Sequence, residues 1–305
     1  MLVAVGLLVV GAVVLYAGAE AAVRGAAGLA RVAGIPAFLV GALLFGVDFE
    51  GVGAAVIAAG RGQTAVAAGS IFGTVLFLFS AAFGAALLFA RRPLESPPAP
   101  MVLAPAAPLL GAALVIADRF VSRAEAVLVL VLYGAYVAFI IREGWVSDAL
   151  SEEPRGRRTK FVLAFRTVLG LVWLSAGAYL LVSGGVRLLE RTTLAAGFIG
   201  AAVVGTLASL DEVVLEVLPI RRGIPDLATG NLFGTLAAFS SGVLGIAALV
   251  RPLVLDSGAG LAFLAMAFLY AIVAGIFLMR GRAGPMLGAF VLACYGAWLV
   301  LASSV

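Results

Sequence analysis

The sequence predicts an all-α membrane protein in which ten transmembrane helices form two inverted five-helix repeats. Three observations carry this prediction. The 305 residues are 64% hydrophobic and 12% charged, with a mean hydropathy of +1.19, whereas a soluble domain carries roughly 25% charged residues. The apolar runs are long enough to cross a bilayer, which takes about 20 residues of helix. A glycine-rich motif also recurs on either side of the single long polar stretch.

Bounding charges mark ten segments, at about 2–31, 36–60, 64–90, 100–117, 124–141, 161–189, 194–219, 225–250, 257–279 and 283–304. The first and sixth are the longest and must tilt or run past the hydrocarbon boundary. Residues Met1–Val10 have no basic n-region, so they are read as a retained first helix rather than a signal peptide. The polar stretch 143–160 reads as a cytoplasmic linker between a first repeat, 1–142, and a second, 161–305. Of the 20 basic residues, fourteen fall on the side of this linker and six on the other. By the positive-inside rule both termini then lie outside the cytoplasmic membrane of a prokaryote.

Five spans per half is an odd number, so related halves must enter the membrane from opposite sides. The relation is visible at an offset of 161 residues. Arg61-Gly62 recurs as Arg222-Gly223, and Gly69-Ser70-Ile71-Phe72-Gly73-Thr74 as Gly230-Asn231-Leu232-Phe233-Gly234-Thr235. Gly84 matches Gly245, while Gly46 matches Gly205 at an offset of 159. The repeated segments span about 36–90 and 194–250.

Acidic clusters interrupt the apolar runs at corresponding places, with Asp48 and Glu50 in segment two and Asp211 and Glu212 in segment seven. An ionised side chain at mid-membrane costs about 2.5–3.5 kcal/mol on insertion scales, so such groups mark ion paths or proton relays. The alternative is that they pair with arginine or cap a broken helix, which the nearby glycines would permit. Glu216 either extends an ion path or pairs with Arg221 or Arg222, and pairing is preferred. Glu20 and Arg24 are spaced to neutralise each other on the first helix. Asn231 needs a partner for its amide, and Ser70, Thr74, Thr235, Ser240 and Ser241 supply hydroxyls near the motif. With no His and only Cys294, His- and Cys-based zinc sites, imidazole relays and nucleophile–histidine catalysis are excluded. Oxygen ligands remain, suited to hard cations. The chain is not read as an enzyme. No resident cofactor is expected, and Na⁺, Ca²⁺ or H⁺ would be bound as transported ions. The expected partners are small cations and the lipid bilayer, with no nucleic acid.

These residues resemble the cation/Ca²⁺ antiporter superfamily, of the sodium/calcium exchanger type, whose two repeats read G-T-S-x-P-E on one helix and G-N-x-x-G-S on the next. Here the second repeat reads Gly205-Thr206 and Asp211-Glu212, then Gly230-Asn231 and Gly234-Thr235. The resemblance implies a secondary antiporter working by alternating access. It places Glu212 on the family's ion-binding glutamate and Gly51 on its first-repeat equivalent, with Glu50 one residue early. It implies metal contacts from Glu50 and Glu212. Leu78 and Phe239 stand where the family has Asn or Asp, so two sides of the site lack oxygen ligands. Two functions follow. One is cation exchange against Na⁺ or H⁺ at Asp48, Glu50, Asp211 and Glu212. The other is a transport-inactive membrane sensor or assembly protein.

Overall fold

The computed structural model describes residues 2–147, 157–189, 207 and 209–302. Among these, ten helical rods follow one another. They are α1 (Leu2–Ala33), α2 (Ala37–Gly60), α3 (Thr64–Phe89), α4 (Ala99–Val115), α5 (Arg123–Ser147), α6 (Arg157–Leu189), α7 (Leu210–Arg221), α8 (Pro225–Val250), α9 (Ser257–Arg280) and α10 (Pro285–Ala302). Seven of the described helices are long and apolar enough to span a membrane. Gly205, Thr206, Glu190 and Arg191 lie outside the described residues, as does half of the linker, 148–156.

α3 and α8 form the centre of the molecule. Their most apolar windows are 72% and 83% buried, against 22–44% for the other five long helices. Apolar helices exposed around a buried pair suit a hydrocarbon surround, because lipid tolerates Leu and Val where water would not. Phe233 of α8 anchors the inner packing. Its ring meets Phe79 of α3 at 6.2 Å, Tyr270 of α9 at 6.3 Å and Phe277 of α9 at 6.2 Å, within the range of favourable aromatic pairs.

The two central helices share a local distortion. Each loosens into a short π-helical segment, Leu78–Ala82 in α3 and Ala238–Val243 in α8. In each a serine turns back on the preceding turn. Ser80 donates to the carbonyl of Leu76, and Ser241 donates to that of Ala237 at 2.6 Å. Such bonds compete with the helical ladder and bend it.

α2 was expected as one segment and is found broken. Its first part, Ala37–Val40, continues as a π-helical turn, Gly41–Phe45. The chain then opens and restarts as a helix at Phe49–Gly60, with Asp48 at the N-cap. α4 is likewise divided, into Ala99–Leu103 and Ala106–Val115, with Pro105 between them. The Arg-Gly pairs of the repeat are tight turns. Gly62 and Gly223 adopt φ of 82° and 75°, a region that costs glycine nothing.

α1 and α6 lie antiparallel in continuous contact. Gly11, Gly18 and Gly25 of α1 face α6 at Gly177 and Leu181, at Gly170 and Leu174, and at Leu163 and Thr167. Gly184 faces Ala4 and Leu8. A Cβ added at Gly11 would stand 2.8 Å from the Leu181 nitrogen, so only glycine allows this approach. Two short ribbons tie loops across the halves. β1 (Leu94–Glu95) pairs antiparallel with β4 (Arg282–Ala283), and β2 (Phe120–Val121) with β3 (Leu253–Val254).

Candidate functional site

Breaking α2 leaves the first N–H groups of its second half without partners. Asp48 supplies them. Its carboxylate accepts from the backbone N–H of Glu50 at 3.0 Å and of Gly51 at 2.9 Å. The capping reading is therefore the geometry found for Asp48. An N-cap carboxylate is held in place by the helix end, and both oxygens here already have partners.

The acids of the two segments converge. Asp48 and Glu50 from α2 and Asp211 and Glu212 from the first turn of α7 line one cavity of about 50 Å³. Ser175 of α6 completes its polar wall, and Leu171, Leu174 and Leu215 are among the apolar residues around it. Among the described residues, no basic side chain lines this space. Asp211 is 9% exposed and Glu212 6%. One oxygen of each, Asp211 Oδ1 and Glu212 Oε2, is buried with no hydrogen-bond partner. Among the described residues, no three acids are grouped closely enough to form a finished metal cage.

Behind the cavity lies a second polar group, wholly enclosed. Asn231 Nδ2 donates to Glu216 Oε1 at 2.9 Å, and Thr235 Oγ1 donates to Asn231 Oδ1 at 3.4 Å. All three side chains are 0% exposed. The expected pairing of Glu216 with Arg221 or Arg222 does not form. Glu216 points into the core against α8, and Arg222 reaches instead to Glu20, which also binds Arg24. The expected Glu20–Arg24 pair is present, with Arg222 as a third member.

The motif glycines divide between packing and site. A Cβ on Gly230 or Gly234 would run into the backbone of Phe38 or Ala42, so these glycines let the first part of α2 lie against α8. Gly46, at the break, similarly abuts the Thr235 nitrogen, 2.8 Å from an added Cβ. Ser70 and Thr74 occupy a half-buried face of α3. Neither they nor Thr235 line the acid cavity. Leu78 and Phe239 are fully buried. The Phe239 ring reaches Gly51, with Cζ 2.8 Å from where a Cβ would stand. A side chain at position 51 would also run into Asp48 Oδ2. Sequence reasoning missed Ser175, which carries no motif and stands out only once α6 is placed beside the break.

The profile of the family described as "Sodium/calcium exchanger protein" matches residues 3–142 and 162–303. The chain is 29% identical over 276 residues to "Putative antiporter CaxA" of Alkalimonas amylolytica, covering 85% of this chain and 84% of that protein. It is 21% identical over 255 residues to an uncharacterized membrane protein, MJ0091, of Methanocaldococcus jannaschii, covering 83% and 84% of the two chains. Among solved structures, the sodium-calcium exchanger NCX_Mj soaked with Na⁺ and Sr²⁺ superposes with a TM-score of 0.84 at 21% identity, over 98% of each chain. The same exchanger soaked with Na⁺ and no Ca²⁺ gives 0.83 at 20% identity, again over 98% of each. With both halves matched by one family profile, the chain belongs to the sodium/calcium exchanger protein family, whose members are integral membrane cation antiporters rather than enzymes.

Proposed function

We propose that this chain exchanges a cation, Ca²⁺ or another, for Na⁺ or H⁺ by alternating access at the cavity between α2, α6 and α7. One observation carries the reading. Four carboxylates from two broken or short helices, Asp211 and Glu212 buried and Glu50 at the exposed rim, face one space that no basic side chain lines among the described residues. Repulsion among them is relieved only by a bound cation or by protons. The two kinds of ion therefore compete for the same oxygens, and competition couples their fluxes. Glu212 and Asp211, each with a free buried oxygen, are the principal ligands, with Glu50 opposite. Asn231 and Thr235 position Glu216 behind them, and Ser175 adds a hydroxyl. Glu212→Gln in proteoliposomes is expected to abolish cation-gradient-driven flux. Intact flux in that variant would sink the assignment.

The inverted arrangement of 1–142 and 161–305, with 143–160 as a cytoplasmic linker and both termini outside, belongs to the same proposal. Its support is the antiparallel α1–α6 pair, the matched π-helical segments, and ribbons in which β1 pairs with β4 as β3 does with β2. The α1–α6 pair is the moving body, two long helices in continuous glycine-mediated contact, resting through a smaller apolar cluster on Val40 and Phe45 of α2, Leu215 and Leu218 of α7 and Leu227 of α8.

Leu78 and Phe239 favour the second reading, a transport-inactive membrane sensor or assembly protein, because both fill ligand positions with apolar bulk. Calorimetric titration of purified protein with Na⁺, Ca²⁺, Mg²⁺ and Mn²⁺ separates the two. Specific binding supports the exchanger, and its complete absence supports the sensor.

A further inference from the structure

A groove that shares no lining residue with the acid cavity runs between α1, α3 and α7. It has a volume of about 470 Å³ and is lined by Tyr16, Phe89, Arg91, Val213, Val217 and Arg221, among others. Its walls are apolar along α7 and cationic at one end. A second space of about 620 Å³ adjoins it, sharing Arg91, Arg221 and Arg222 and adding Arg92. Among the described residues, no carboxylate lines the first groove. Glu95 and Asp226 line only the second. Among the described residues, the ion pairs formed are Arg24–Glu20 and Arg222–Glu20, so Arg91, Arg92 and Arg221 are held by no carboxylate.

We propose that this groove binds an anionic phospholipid, with the headgroup phosphate between Arg91 and Arg221 and an acyl chain along Val213 and Val217. Charge complementarity selects an anion. The apolar wall, opening beside the exposed Phe89 ring, selects one that carries a hydrocarbon tail over free phosphate. Basic pockets between membrane helices are suited to such headgroups, and guanidinium forks match phosphate oxygens in pairs. The seat lies beside Arg222, so a bound phosphate also competes with Glu20 for that guanidinium. The occupant would thereby loosen the tie between α1 and the α7–α8 turn.

The test is native mass spectrometry of the full chain with phosphatidylglycerol or phosphatidylcholine, in the presence and absence of inorganic phosphate. Retention of phosphatidylglycerol under activation that strips phosphatidylcholine is the expected result, and millimolar phosphate should leave it in place. The double variant Arg91→Gln/Arg221→Gln should weaken retention by about 30-fold, taking about 1 kcal/mol per basic residue. The charge-keeping pair Arg91→Lys/Arg221→Lys should keep the preference. Equal retention of both lipids overturns the proposal, as does displacement by inorganic phosphate. So does an unchanged double-Gln variant, or a Lys pair that loses the preference as fully as the Gln pair.

Discussion

Asp48 carries two demands that the sequence alone cannot separate, and the structure lets them be tested apart. As an N-cap it satisfies two backbone N–H groups at 3.0 and 2.9 Å. As a member of the acid cavity it contributes charge. Asp48→Asn keeps one of the two capping oxygens and removes the charge, so the unfolding temperature in detergent should fall less than in Asp48→Ala while cation affinity drops. Asp48→Ala should also lose stability by about 0.5–2 kcal/mol, the usual worth of a cap. Equal destabilisation by both variants would show that the charge, not the cap, sets stability at the break. The four cavity acids were legible in the sequence because carboxylates in apolar runs are rare and costly. Glu216 was misread because helical spacing places it near two arginines in sequence, while its partner Asn231 lies on another helix. Gly51 and Phe239, far apart in sequence, meet only in three dimensions. The ring of one reaches the space that a side chain on the other would need.

Among the elements, the α1–α6 pair depends most on single atoms. Glycine recurs every seventh residue in both helices, at 11, 18 and 25 and at 170, 177 and 184. The sequence shows each stripe, but only the fold shows that they face each other. A Cβ at Gly18 would collide with the backbone of Trp173 at 2.7 Å, and backbone cannot rotate aside. Gly18→Ala is therefore expected to destabilise by about 1–3 kcal/mol, the range for overpacking. Gly134→Ala on α5, where an added Cβ meets nothing within 4 Å, should be neutral or gain about 0.5–1 kcal/mol of helix preference. Parallel melts of the two variants check this, and equal effects would argue against close backbone packing. The break in α2 was permitted by its glycines but not placed by them, since they loosen a helix wherever they fall. The π-helical segments were not anticipated, because Ser80 and Ser241 bond to their own helices and leave no pattern in hydropathy.

At the scale of the whole molecule, the repeat makes a prediction that a merely similar pair of halves would not. Arg61 and Arg222 occupy the same place in their repeats, each just before a glycine with positive φ in a tight helix–helix turn. Both are exposed. If the halves are inverted, these equivalent turns lie on opposite faces of the membrane. Single cysteines at Arg61→Cys and Arg222→Cys, in a Cys294→Ser background, can be labelled in sealed vesicles with an impermeant thiol reagent. Arg61→Cys should react from the outside alone and Arg222→Cys only after the inside is opened. Losing the Arg222–Glu20 pair should leave the fold intact, because exposed ion pairs contribute only about 0–1 kcal/mol. Labelling of both from one side would overturn the inverted plan, and with it the opposed entry of α1 and α6. Reversed labelling would keep the inversion and reverse only the orientation read from the basic residues. This matters for the proposed mechanism because opposed halves would give the shared acid cavity two related routes, one to each face. Under the proposed exchange, a cation held between Glu212 and Glu50 would leave by either route once the α1–α6 pair shifts across it.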